Sequence, residues 1–183
     1  MHYSDFLEST NRIFWILVLS AFSSLAFSVD TDGDGLQDYQ ITAGQYHTCA
    51  IDDNGVQCWG EYSGYGPGQT RSAFEPTDLV NPVALAAGYQ HTCAIDDSGV
   101  QCWGWYYPDE EIVPTNLVNP VAVAAGARHT CALDDNGVQC WNGGEESNVP
   151  TGLVNPVAVV AGTYHTCAID DNGVHCWGWE AYG

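Results

Sequence analysis

The chain has 183 residues, with 23 Asp plus Glu against three basic residues, all of them Arg, for a formal charge of −20. That length suits one domain, and a hydrophobic content of 45% is well above that of a disordered chain. A surface this acidic repels phosphate backbones, which excludes nucleic acid as a partner.

Residues 13–22 (IFWILVLSAF) form the only long apolar run, preceded by Arg12 and followed by Ala26-Phe27-Ser28, a small-x-small pattern before Val29. The layout predicts a secretory signal peptide over residues 1–28, although Asp5 and Glu8 offset the usual positive charge. A retained anchor is the competing reading, but the run is short for a bilayer span and serines follow Leu19. Stable membrane insertion is not expected after cleavage. Export puts the mature chain in the periplasm, outside the cell or on its surface.

Residues 29–38 are an acidic linker that contains Asp30-Thr31-Asp32-Gly33-Asp34-Gly35-Leu36-Gln37-Asp38. Calcium loops need hard oxygen ligands at alternate positions and a glycine at the sixth for the sharp turn. Asp30, Asp32, Asp34, the Leu36 carbonyl and Asp38 fit positions one, three, five, seven and nine, whereas Ile41 stands where a bidentate Glu completes an EF-hand. The segment resembles the acidic repeats of thrombospondin type 3, and calcium is the one cofactor expected.

Residues 39–183 are repetitive. The phrase A-G-x-x-H-T-C-A-[IL]-D-D-[NS]-G-V-x-C-W begins at Ala43, Ala87, Ala125 and Ala161. A second phrase, P-T-x-L-V-N-P-V-A, begins at Pro76, Pro114 and Pro150. Each core reads as a β-hairpin, with His47 to Ile51 and Val56 to Trp59 as strands and Asp52-Asp53-Asn54-Gly55 as the turn. Val83 to Ala86 is a further short strand ahead of the next hairpin. Apolar residues fall on both parities, so both sheet faces are expected to be covered, as in a propeller or a stacked solenoid.

The four cores resemble the repeat of the regulator of chromosome condensation family, in its cysteine-bearing bacterial secreted form. The resemblance implies an all-β fold: a β-propeller, which in the family typically has seven blades of four antiparallel strands. With four short units here, the expectation is a β-propeller-like array forming a four-bladed or partial ring.

Eight cysteines form four pairs at one spacing: Cys49/Cys58, Cys93/Cys102, Cys131/Cys140 and Cys167/Cys176. In an exported chain this reads as four disulfides, with zinc as the rival. A four-residue loop from Asp52 to Gly55 places Cys49 opposite Cys58, whereas an Asn-Gly loop does not. His47, His91, His129 and His165 recur at one structural position, so buried imidazoles bonded to backbone are expected rather than catalytic groups. Trp59, Trp103, Trp141 and Trp177 are assigned to blade packing. The acid pairs Asp52-Asp53, Asp96-Asp97, Asp134-Asp135 and Asp170-Asp171 share one rim, with turn chemistry favoured over a cation-collecting ring.

Variable loops on a repeated framework point to a non-enzymatic binding scaffold. The residues expected to bind a partner are Tyr62, Tyr65 and Phe74, then Trp105, Tyr106 and Tyr107, and finally Trp179 and Tyr182. A protein partner is the leading expectation, and the family's propellers generally act by binding proteins. Carbohydrate binding by the same aromatics is the alternative, as is an interaction segment of a larger surface protein. An incomplete ring would leave room for a homo-oligomer.

Overall fold

The computed structural model describes residues 40–52, 55–60, 78–104 and 113–179. The first unit contributes β1 (Gln40–Ala43), β2 (His47–Asp52) and β3 (Gly55–Gly60), and the second β4 (Ala84–Ala87), β5 (His91–Asp96) and β6 (Gly99–Gly104). The third contributes β7 (Ala122–Ala125), β8 (Thr130–Asp134) and β9 (Gly137–Trp141), and the fourth β10 (Ala158–Ala161), β11 (His165–Asp170) and β12 (Gly173–Gly178). Each unit is an antiparallel sheet in chain order, and the four make an all-β, propeller-like array. Its blades have three strands among the described residues, not the four that the family resemblance implies. In the third unit the segment after β9 holds a 3-10 turn at Glu145–Ser147 and then the connector, so no fourth strand pairs there.

Hairpin register follows the cysteines. Cys49 pairs with Cys58, Cys93 with Cys102, Cys131 with Cys140 and Cys167 with Cys176. All four pairs are disulfides, with Cα atoms 4.0–4.1 Å apart. The expected four-residue loop is shorter in fact, because Asp52 pairs with Gly55 and only two residues lie between. Glycine at this position adopts a positive φ, +97° at Gly55 and +117° at Gly173, which a side chain would oppose.

The innermost strands β1, β4, β7 and β10 line one cavity of about 270 Å³, so the units are arranged about a common axis. Small residues such as Ala84, Ala86, Ala122 and Ala124 let these strands approach it. Neighbouring sheets pack face to face. Cys49 and Ile51 of the first unit bury against Leu85, Ala94 and Trp103 of the second, and Cys131 and Leu133 of the third pack with Val159 of the fourth.

Burial along the middle strand shows where the array ends. All residues of β5 and β8 are buried, so both faces of the second and third sheets are covered as expected. In β2 only His47, Cys49 and Ile51 are buried, and in β11 only Thr166, Ala168 and Asp170. The first sheet is therefore covered on one face and the fourth on the opposite face. Among the described residues, the fourth unit makes no contact with the first comparable to those between successive units.

Candidate functional site

Each boundary between units is closed by a histidine and a threonine from the same repeated phrase. His47 Nε2 lies 2.7 Å from Thr92 Oγ1, His91 Nε2 lies 2.9 Å from Thr130 Oγ1, and His129 Nε2 lies 2.8 Å from Thr166 Oγ1. Buried imidazoles were expected, bonded to backbone and reaching between blades; the bond does cross between units, but its partner is a threonine hydroxyl. The phrase explains this. His and Thr are adjacent on a strand and point to opposite faces, so one unit's histidine face meets the next unit's threonine face. Thr166 Oγ1 also donates to the Glu146 carbonyl at 2.9 Å. Its single proton is thereby committed, so His129 must donate from Nε2.

Burial keeps these rings neutral. Desolvation lowers the pKa of His47 and His129, and brings that of His91 down to about 4, with the neighbouring His129 and His47 adding to the effect. The histidines are buried cross-links of the framework, repeated alike at each of the three boundaries.

The rim acids are also engaged. Asp96 accepts from Val80 N at 2.9 Å and Ser98 N at 2.8 Å, Asp134 from Val118 N and Asn136 N at 2.8 Å each, and Asp170 from Val154 N at 2.8 Å and Asn172 N at 2.7 Å. In the second, third and fourth units the second acid accepts from the connector asparagine at 2.7 Å: Asn81 to Asp97, Asn119 to Asp135 and Asn155 to Asp171; Asp53 lies outside the described residues. Burial raises the Asp96 carboxyl, but the hydrogen bonds from Ser98, Val80 and Gln101 outweigh it and hold the pKa below the usual value. For Asp170 the Val154 amide is the main cause of a lowered pKa, with Asn172 and His175 acting in the same direction against burial. These pairs therefore fasten the Val-Asn-Pro connector to the hairpin turn. Turn chemistry accounts for them.

Among the described residues, one variable pair in each unit lies toward one end of the axis. Between the fixed glycine and the histidine position each unit carries two residues that differ from unit to unit: Gln45-Tyr46, Tyr89-Gln90, Ala127-Arg128 and Thr163-Tyr164. Gln45, Tyr89 and Thr163 surround a depression of about 210 Å³ with the four glycines Gly44, Gly88, Gly126 and Gly162. The Tyr46 and Tyr89 rings meet edge to face at 5.3 Å, with their hydroxyls 3.3 Å apart. Between the third and fourth units a cleft of about 520 Å³ lies among Arg128, Asn142, Glu145, Glu146, Tyr164 and Trp179. Trp179 is 53% exposed and its ring lies 5.4 Å from that of Tyr164. One wall is fixed because the Glu146 carbonyl also accepts from Trp177 Nε1 at 2.9 Å. An exposed aromatic pair beside a cation and two carboxylates suits a polar, partly aromatic ligand surface.

Of the residues expected to bind a partner, Trp179 lies in this cleft. Tyr62, Tyr65, Phe74, Trp105, Tyr106, Tyr107 and Tyr182 lie outside the described residues, as do the expected signal segment 1–28 and the expected calcium ligands Asp30, Asp32, Asp34, Leu36 and Asp38. Tyr46, Tyr89, Arg128 and Tyr164 were not anticipated from the sequence. The available signal was two freely varying positions inside an otherwise fixed phrase.

A sequence profile described as the regulator of chromosome condensation (RCC1) repeat matches residues 39–66, 83–105, 121–141 and 157–183, together more than half of the chain. Among curated protein sequences nothing matches. Among solved structures, the chain is similar to the CRINKLY WD40 ectodomain of the Arabidopsis thaliana receptor kinase ACR4, with 28% identity and a TM-score of 0.62 over 76% of this chain and 50% of that one. The entire ectodomain of the Physcomitrella patens receptor kinase CR4 matches at 23% identity and a TM-score of 0.60, over 87% of this chain and 46% of that one. Yeast RCC1 (Prp20), in its complex with Kap60, matches at 19% identity and a TM-score of 0.57, over 85% and 45%. The chain spans about half the length of these structures.

Proposed function

The chain belongs to the regulator of chromosome condensation (RCC1) repeat family, and from that premise we propose that it is an exported, non-enzymatic scaffold that binds a protein partner. The observation that carries this reading is the division of labour along the repeat. Cysteine, histidine, threonine and the rim acids are repeated and engaged in the framework. The variable positions instead gather Tyr46, Tyr89, Arg128, Tyr164 and Trp179 at one end of the axis. Four disulfides favour an oxidising compartment, in keeping with a secreted or cell-surface location. The likeness to receptor ectodomains and to a protein solved with Kap60 bound supports a binding role of this general kind.

The test is affinity capture from the extracellular fraction with the immobilised chain, beside its Tyr164→Ala and Trp179→Ala variants. Loss of one captured protein in both variants, at unchanged melting temperature, supports the reading. Equal capture by all three overturns this placement of the site. Glycan-array binding that is lost in the same variants would assign the cleft to carbohydrate instead.

Calcium binding at Asp30, Asp32, Asp34, the Leu36 carbonyl and Asp38 is also proposed, on the spacing of these oxygens alone. Titration calorimetry should show calcium uptake that Asp32→Ala and Asp34→Ala abolish.

A further inference from the structure

The array presents the two halves of one interface on opposite ends. That interface is formed three times within the chain, each time by a His-Cys-[Ile/Leu] face meeting a Thr-Ala face that also carries a tryptophan. The clearest instance joins Cys49 and Ile51 to Ala94 and Trp103. Trp103 pairs with Thr92 across its hairpin and shares its face, so it packs against Cys49 and Ile51 of the preceding unit. Trp59 holds the same place in the first unit, where no unit precedes it among the described residues. It is 53% exposed, against 8% for Trp103 and 7% for Trp141. At the other end Ile169 is 40% exposed, whereas Ile95 in the second unit is 3% exposed.

Polar groups follow the same pattern. His47, His91 and His129 each reach a threonine of the next unit, but among the described residues His165 reaches none and Thr48 receives none. Backbone donation also crosses the units, from Gln45 N to the Gly88 carbonyl at 3.2 Å and from Tyr89 N to the Gly126 carbonyl at 3.1 Å. Thr163 occupies the equivalent place in the last unit, facing the open end.

We infer that a second copy of this chain docks there head to tail, its Thr48, Ala50 and Trp59 face covering the His165, Cys167 and Ile169 face of the first. The contact continues an interface that the chain already makes three times with the same residue types. Little charge stands in the way: on the first face Asp52 sits at the rim beside neutral Thr48, Ala50 and Trp59, and His165, Cys167 and Ile169 of the other face carry no acid, although the chain as a whole carries −20. With both ends used reciprocally the assembly closes as a pair rather than extending as a filament. This inference stands on the sheet faces and is independent of the loop cluster proposed to bind a partner.

The test is sedimentation velocity on the protein expressed with its own leader and purified as the host processes it. The expected result is a two-copy species that tightens as salt rises, because screening relieves the repulsion between two acidic chains. Trp59→Asp and Ile169→Asp place a carboxylate in the contact and should each weaken pairing by about 100-fold or more. Both side chains are already exposed, so folding is retained, with Thr48→Glu as a second variant of the same face. Mixing the two Asp variants joins one intact end face to one intact start face and should restore a two-copy species that neither forms alone. A single-copy species at all concentrations, pairing insensitive to these variants, or a mixture that fails to pair would each overturn the inference.

Discussion

His91 Nε2 lies 2.9 Å from Thr130 Oγ1, with both residues buried and in different sheets. Because the contact joins two units that share no backbone ladder, it reports directly on how successive blades hold together. Thr130→Val keeps the side-chain shape but leaves the imidazole without its hydroxyl. The expected loss is about 1–3 kcal/mol, the scale for orphaning a buried polar group, with a melting temperature lower by several degrees. Thr48→Val is the control. Its hydroxyl faces the open end, so at concentrations below pairing the cost should stay within about 0.5 kcal/mol. Thermal unfolding of the two variants beside the wild type decides the matter.

The same histidines make the fold acid-sensitive before its carboxylates titrate. His91 has a folded pKa of about 4 against 6.5 when free, so between those values the unfolded chain binds the additional proton. Stability is therefore complete above about pH 6.5 and falls as pH drops toward 4, by roughly 3 kcal/mol for His91. His47 and His129 act in the same direction. Asp96 and Asp170, whose pKa values are lowered, contribute stability that is lost only below their ordinary value of 3.8. Denaturant midpoints between pH 7.5 and 4.5 should fall for the wild type and fall less for His91→Gln. Subtracting one curve from the other removes the changing carboxylate repulsion common to both.

Much of the framework was readable because the relevant information is local. Cys49 and Cys58 flank a short turn, and two-residue alternation along each strand fixes which side chains oppose one another. Covered faces on the middle sheets follow from apolar residues on both parities. The His–Thr cross-links were not readable, because their partners are separated by 37–45 residues and depend on how sheets stack. The role of Gln101 was hidden for a related reason: it occupies a variable position, yet reaches across the hairpin to Asp96 at 2.9 Å. In the fourth unit His175 replaces that glutamine and contacts Asp170 at 3.0 Å. The loop residues escaped notice because Tyr46, Tyr89, Arg128 and Tyr164 stand singly in sequence, and only the packing of successive units pairs Tyr46 with Tyr89 and sets Arg128 and Tyr164 in one cleft.

The glycine ahead of each histidine should show a graded cost. A Cβ on Gly126 would fall 2.5 Å from the Gly162 carbonyl oxygen and 2.3 Å from the buried His129 ring. Neither can withdraw, since one is backbone of the neighbouring blade and the other is cross-linked to Thr166. Gly126→Ala should therefore cost more than about 2 kcal/mol, as expected for overpacking at a rigid site. On Gly162 the three nearest atoms all belong to the His165 ring, the first at 2.4 Å, and that ring is half-buried and, among the described residues, has no threonine of a following unit to hold it. Gly162→Ala should be the milder change, and chemical denaturation of the two variants would show the order.

The rim acids give a test that separates anchoring from charge collection. Asp134 accepts from Val118 N, Asn136 N and Gln139 Nε2, at 2.8, 2.8 and 2.7 Å. Asp134→Asn replaces one accepting oxygen with a donor and turns one of these contacts into an N–H facing an N–H. Loss of a buried, charge-assisted bond predicts a cost of about 1.5–3 kcal/mol. Asp135→Asn keeps one amide oxygen for Asn119 Nδ2, which donates to it across an exposed edge, so a much smaller effect is expected. Both substitutions remove one negative charge from the same rim. If relief of repulsion governed this edge, both variants would gain stability equally; unequal losses, with Asp134→Asn the larger, are the outcome that the hydrogen-bond geometry requires.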